Sequence, residues 1–364
     1  MAFQRVLSAT SLLLALSLSG CGSSSSGSAS APTNVYLAGS APISNTAKTG
    51  TSIATYWKNG TATNLTDGAQ NAWASAIAVD SSGNVYVVGY TVSATTGKYV
   101  ATYWKNGTAT NLTDGTTQAD AKAIAVDSSG NVYIVGSTSE ASGYSMATYW
   151  KNGAPTYLTD GMAPAGADAI AIDSSGNVYV AGSTSKAYSG NSIATYWKNG
   201  TATNLTDGTT YAFADGIAVD GSGNVYVAGT FYSATTSKSI ATYWKNGMAT
   251  SLTDGMGEAD ANSIAVDSSG NVYVAGDTAD ASGHNYMATY WKNGTATALA
   301  GMSYASADAV AVDSSGNVYA GGITTNPSTN TANTIATFWQ NGAATNLTGG
   351  LLDGDVSGIA LSSK

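Results

Sequence analysis

Apolar and polar residues alternate along this chain in short runs, and the runs repeat. In AIAVDSSGNVYVVG (76–89), two β-branched and aromatic runs, Ala76 to Asp80 and Asn84 to Gly89, flank Ser81-Ser82-Gly83. In ATYWKNGTATNLTDG (101–115), the runs Ala101 to Lys105 and Thr108 to Thr113 flank Asn106-Gly107. Alternation interrupted by turn residues predicts strands, and Asn-Gly is the strongest short-range hairpin signal. Each unit is therefore expected to be a four-stranded antiparallel meander, with strands a to d in chain order. Polarity then ranks them. Strand b, in Val85-Tyr86-Val87-Val88, is apolar on both faces and must be covered on both, whereas strand d, in Thr61-Ala62-Thr63-Asn64-Leu65-Thr66, is mostly hydroxyl and amide. In strand a, Ile77 and Val79 project to one side, and Ala76 and Ala78 to the other. Small residues on one side suit an innermost strand, where neighbouring sheets converge on an axis.

The string ATYWKNG at 54–60 recurs with few substitutions, placing Trp57, Trp104, Trp150, Trp197, Trp244, Trp291 and Trp339 at intervals of 46 to 48 residues. Sheets that lie between copies of themselves and converge on an axis describe a β-propeller, whose blades have four strands and whose repeats have about this period. The fold class expected is all-β, a seven-bladed β-propeller. Strand b first appears at Asn34 and strand a last appears at Gly358, so the chain starts one strand late and ends with one extra. The C-terminal strand is expected to complete the N-terminal blade and close the ring, which removes an open sheet edge. The units DSSGNVYVAG and AxYWKNGxxTxLTDG resemble the bacterial β-propeller repeats of secreted proteins, over essentially 34–364. That resemblance implies the fold and leaves activity open.

Ahead of the repeats, Arg5 and the apolar run Ser11 to Leu18 predict a signal peptide over 1–20, too short for a membrane span. Leu18-Ser19-Gly20-Cys21 resembles the lipobox of bacterial lipoproteins, which implies lipidation of Cys21 and a membrane anchor. Gly22 and Ser23 at the following positions imply the outer membrane or cell surface as the address within the bacterial envelope. Residues 21–33, rich in Gly and Ser, predict a flexible tether, and 34–364 the propeller. Cys21 is the single cysteine, so disulfides within the chain and cysteine-based metal sites are excluded. The formal net charge is −9, and slightly more negative once Arg5 leaves, which argues against nucleic acid and anionic lipid surfaces.

Candidate chemistry divides into repeated and unrepeated residues. The seven tryptophans are expected to pack blade on blade. The turn aspartates Asp80, Asp127, Asp173, Asp220, Asp267 and Asp313 lack the further carboxylates of a calcium loop and are expected to accept N–H groups of their own turns. In a meander propeller the a–b and c–d turns share one face of the disc, and the b–c and d–a connections share the other. The first is nearly uniform here, and the second varies, so localised function is expected on the second. Two residues before the central aliphatic of each strand a come Ser75, Lys122, Asp168, Asp215, Asn262, Asp308 and Ser357, with Asp120, Asp260 and Asp355 two positions earlier in three copies. Such a ring could hold a cation or a cationic or polyhydroxylated ligand, or form a plain solvated channel mouth. Trp73, Tyr211, Phe213 and Tyr304 are expected in d–a loops, where they could stack on sugars, anchor a protein, or pack among themselves.

The single histidine, His284, is expected as a solvated loop residue, which removes histidine triads. No catalytic constellation is recognisable, and no cofactor or metal is expected. These features predict a monomeric, lipid-anchored, non-enzymatic scaffold that binds a protein or glycan through its variable face. The alternative is a polysaccharide hydrolase or lyase using aspartates at the channel mouth.

Overall fold

The computed structural model describes residues 33–42, 51–139, 143–187, 190–280, 283, 285–299, 304–325, 334–349 and 353–363. Residues 1–20, expected as a signal peptide, Cys21, the expected tether up to residue 32, and His284 fall outside them.

Local turn chemistry builds the strands. In the second repeat, Asn106 (φ 48°) and Gly107 (φ 83°) take the two left-handed positions of a tight hairpin between Tyr99–Lys105 and Thr108–Asn111. The Asn106 side chain is held at both ends. Its Oδ1 accepts the Val85 N–H at 2.8 Å, and its Nδ2 donates to Asn84 Oδ1 at 2.9 Å. The c–d turn is thereby tied to the a–b turn of the same blade. In that a–b turn, Asp80 Oδ1 accepts the N–H groups of Ser82 and Asn84, while Oδ2 accepts Asn84 Nδ2 and the Tyr86 hydroxyl. Burial alone would raise the Asp80 pKa, but the bonds from Asn84, Tyr86 and Ser82 outweigh it and hold the carboxyl below its ordinary value. Lys105 Nζ lies 5.0 Å from the Tyr86 ring centroid and closes the cluster. Asp127, Asp173, Asp220, Asp267 and Asp313 accept the same set of bonds in their own turns.

Seven four-stranded antiparallel sheets result. Blade 1 is Asp355–Ser363, Thr33–Pro42, Ser52–Lys58 and Thr61–Asn64 from inside to outside. Blades 2 to 7 begin with the inner strands Ala72–Val79, Ala119–Val126, Ala165–Ile172, Ala212–Val219, Ala259–Val266 and Ala305–Val312. The inner strand of blade 2 starts four residues before the expected Ala76, and its second strand, Val85–Val92, runs past Gly89. The added residues pair with one another, Ala72 with Thr91 and Trp73 with Tyr90. Every outer strand is exposed along its length, as its hydroxyl and amide content requires.

The repeated tryptophans join the blades. Each is at most 2% exposed. Trp104 of blade 2 packs with Tyr36, Ala38 and Ala54 of blade 1, and Trp57 of blade 1 packs with Ala309, Ala311 and Tyr319 of blade 7. A tryptophan removes about 150–250 Å² from water, worth on the order of 4–6 kcal/mol of transfer free energy before ordering costs. On the other side of the inner strand, Ala76 and Ala78 pack with Ile124 and Val126 of blade 3, and their small size lets the inner strands approach.

Closure follows the strand count. The C-terminal strand pairs antiparallel with the N-terminal one, from Thr33 opposite Ser363 to Ser40 opposite Asp355. Val356 and Ile359 are fully buried against Ala309 and Ala311 of blade 7, so the completed blade 1 seals the ring on that side.

Candidate functional site

The register of every inner strand slips once against its neighbour, and the slip falls at the same place in each blade. In blade 2, Ala74 pairs with Gly89 and Ala76 with Val88, which leaves Ser75 unpaired. In the same way Lys122, Asp168, Asp215, Asn262, Asp308 and Ser357 are each passed over between paired neighbours. The polar ring expected from the sequence is thus a ring of seven β-bulge residues. A bulge frees one residue from the ladder and re-aims side chains, a device common beside functional sites. It also reverses the alternation. Ala72 and Ala74, before the bulge, share a face against blade 1 with Ile77 and Val79 after it.

The last glycine of the repeated motif makes room for the bulge. A Cβ on Gly89 would lie 1.8 Å from the Trp73 carbonyl oxygen, and one on Gly136 would lie 2.0 Å from that of Asp120. The backbone approaches too closely for any side chain.

Charge is distributed unevenly around the ring. Lys122 Nζ pairs with Asp120 Oδ2 at 3.1 Å, and Asp120 Oδ1 accepts the Ser137 N–H at 3.2 Å. Burial works against the Lys122 charge, but Asp120 and Asp168 outweigh it and raise its pKa above the ordinary value. For Asp168, burial dominates and pushes the carboxyl up to about 6, with Lys122 pulling down and Asp120 pushing further up. Asp215 stands well above the carboxylate range, first through burial and then through its neighbours Asp168 and Asp260.

On the other side of the ring the polar groups bond to one another. Asn262 Nδ2 donates to Ser306 Oγ, the Ala307 carbonyl and Asp308 Oδ1 at 3.2–3.3 Å. Ser306 Oγ lies 2.8 Å from Asp308 Oδ1 and 3.0 Å from Asp277 Oδ2. Where the ring closes, Ser357 Oγ donates to Asp355 Oδ2 at 2.6 Å, Asp355 Oδ1 accepts the N–H and hydroxyl of Ser40, and Trp73 Nε1 donates to Ser357 Oγ at 3.4 Å. Burial pushes Asp355 up to about 6 despite the bonds from Ser357 and Ser40.

The aromatic candidates do not form one group. Trp73 and Phe213 are not loop residues. They sit in the inner strands Ala72–Val79 and Ala212–Val219, two positions before the bulge, because those strands begin earlier than the broken alternation suggests. Tyr211 and Tyr304 do precede inner strands and are 49% and 44% exposed. Each meets another tyrosine, Tyr211 edge-on to Tyr232 of its own blade at 6.4 Å, and Tyr304, at the start of blade 7, edge-on to Tyr286 of blade 6 at 5.4 Å. Among the described residues, no group of three or more His, Cys, Asp or Glu is placed to hold a metal ion.

Asp277, Tyr90 and Tyr99 were not expected near the mouth. Asp277 and Tyr90 directly follow the repeated glycine of strand b, in VAGD and VVGY. That glycine sits opposite the bulge, so the residue after it faces the outer layer of the channel mouth. Asp277 pairs with Asp260, and Tyr90 with Trp73.

The sequence matches the family model described as Beta-propeller repeat (SBBP) over residues 65–94, 112–143, 168–187 and 258–281. The chain carries beta-propeller repeats. No curated protein matches it. Among solved structures it is similar to a PL25 ulvan lyase, at 10% identity and a TM-score of 0.46, covering 76% of this chain and 81% of that one. It is also similar to the acylaminoacyl peptidase of Pyrococcus horikoshii, at 12% identity and a TM-score of 0.47, covering 87% of this chain and 50% of that one. The Aleuria aurantia lectin matches at 10% identity and a TM-score of 0.39, covering 77% and 94%. Likeness of this degree adds nothing to the architecture already visible in the sheets.

Proposed function

We propose that this protein is a binding propeller, held at the bacterial envelope through a lipid on Cys21, which takes a polyhydroxylated or cationic ligand at its channel mouth. The bulge ring carries this reading. Its seven positions lie outside the strand ladder, and they hold four residue types, while the position just before each is alanine in six blades and valine in the seventh. A position required only by the fold would be filled alike in every blade, as the tryptophans and turn asparagines are. Half-buried Asp and Asn groups beside aromatic rings suit a ligand with many hydroxyls.

A second reading rests on the carboxyls. Asp168 at about 6 and Asp215 well above its ordinary value keep protons to higher pH than an exposed aspartate would. Carboxyls set apart in this way could serve as acid and base in glycoside hydrolysis.

One experiment addresses both. Wild type, the combined variant Lys122→Met, Asp168→Asn, Asp215→Asn, and Cys21→Ser are compared for fractionation, thermal unfolding and retention of envelope glycans and peptides. Cys21→Ser should move the protein from the membrane to the soluble fraction. The ring variant should keep its fold and lose retention. Equal retention would sink the binding reading, and shortened glycan products released by wild type but not by the ring variant would favour the hydrolase.

A further inference from the structure

Blade 2 differs from the others at the mouth. Two positions before the bulge, its inner strand carries Trp73, and the residue directly opposite on the second strand is Tyr90. Side chains directly opposite leave a sheet on the same face. At the same register the other blades pair, for example, Asp355 with Ser40, Asp120 with Ser137 and Phe213 with Thr230. The series continues outward, because Tyr90 stacks on Tyr99 of the third strand with centroids 4.3 Å apart and ring planes 23° from parallel. Three aromatic rings thus lie across three neighbouring strands, running from the channel toward the rim.

The row starts at the acidic mouth. Trp73 is fixed by its bond to Ser357. The strand that carries Tyr90, Val85–Val92, packs against the inner strand of blade 3, Ala119–Val126, which carries Asp120 and Lys122. Burial pushes the Tyr90 hydroxyl up to about 12, with Tyr99, Asp355 and Asp120 adding to the effect and Lys122 opposing it. Trp73 and Tyr90 are half-buried, and Tyr99 is 42% exposed.

We propose that Trp73, Tyr90 and Tyr99 form a stacking row for the pyranose rings of a neutral saccharide chain, whose end enters the channel mouth beside Asp120 and Lys122. This inference rests on the binding reading above and names its ligand class. A pyranose presents apolar C–H faces edged by hydroxyls. It therefore matches aromatic rings next to carboxyl, amide and hydroxyl groups. Charge disfavours uronate-bearing or sulfated chains, because the mouth gathers Asp120, Asp168, Asp260, Asp308 and Asp355 around the single ring cation, Lys122, which is already paired. A row of three rings suits a chain of several sugars better than a single one.

Tryptophan emission provides a direct test. The chain has eight tryptophans, and seven are at most 2% exposed, so Trp73 alone can report a ligand arriving from solvent. Full-length protein is titrated with neutral oligomers of glucose, xylose, mannose and N-acetylglucosamine, with oligogalacturonate and a mixed peptide library as comparisons. Emission should shift with a neutral oligomer and not with oligogalacturonate, and the shift should vanish in Trp73→Phe. Tyr99→Ala, at an exposed position, should weaken binding by about tenfold while the melting transition is unchanged. Saccharide binding that leaves the emission unchanged, or that Tyr99→Ala does not weaken, would overturn the stacking row and leave the mouth as the site. Failure of every neutral oligomer would overturn the saccharide class, and peptide binding sensitive to the ring variant would still uphold the wider binding reading.

Discussion

Two populations of aspartate in this chain respond to acid in opposite directions. The turn residues Asp80, Asp127, Asp173, Asp220, Asp267 and Asp313 have pKa values lowered from 3.8, so the stability they contribute is present above that value and lost as pH falls below it. The mouth residues behave in reverse. Asp168 and Asp355 stand at about 6 when folded, so ionising them opposes folding, and that opposition is relieved as pH falls from above 6 toward 3.8. The melting temperature should rise by roughly a few degrees between pH 7.5 and 5 and fall below pH 4. In Asp168→Asn the rise should shrink, and scanning calorimetry across that range checks it. A curve flat between pH 7.5 and 5 would show that the mouth carboxyls are solvated like surface groups.

At the scale of the strand, the bulge and its glycine act as one device. Gly89→Ala should cost about 3 kcal/mol or more, because the new methyl meets the Trp73 carbonyl and the inner strand must move. Gly166→Ala is the matched control. Its nearest side-chain atoms would be Ser137 Oγ at 3.5 Å and Asp168 Oδ2 at 3.7 Å, so it should change stability by less than about 1 kcal/mol. Urea unfolding of the two variants separates close backbone approach from loss of glycine as such. The same device explains what could be read in advance. Asn-Gly turns, strand order and the ring positions were legible because each repeats or aligns from copy to copy. The start of the inner strand was not, because the alternation that marks it breaks at Ser75. Reading Gly89 as a strand end hid the pairing of Tyr90 with Trp73, and the stacking of Tyr90 on Tyr99 depends on register across the b–c connection, which no local pattern encodes.

For the whole molecule, the seam in blade 1 carries the closure. Deleting Val356 to Lys364 should remove the inner strand from that blade and uncover Leu37 and the Ala309 and Ala311 surface of blade 7. The expected outcome is aggregation or a broadened, non-cooperative melt. A truncated protein that melts like the full chain would show that six intact blades hold the seventh in place. The seam also sets an order in time. Thr33 and Ser363 are paired neighbours in the finished blade although nearly the whole described chain lies between them, and contacts of such separation form late. Blades 2 to 7 are each complete within a local stretch of sequence, so they can assemble in the order in which they are made. Blade 1 must wait for the final strand, and until that strand arrives the disc is an open arc that still has a way in and a way out.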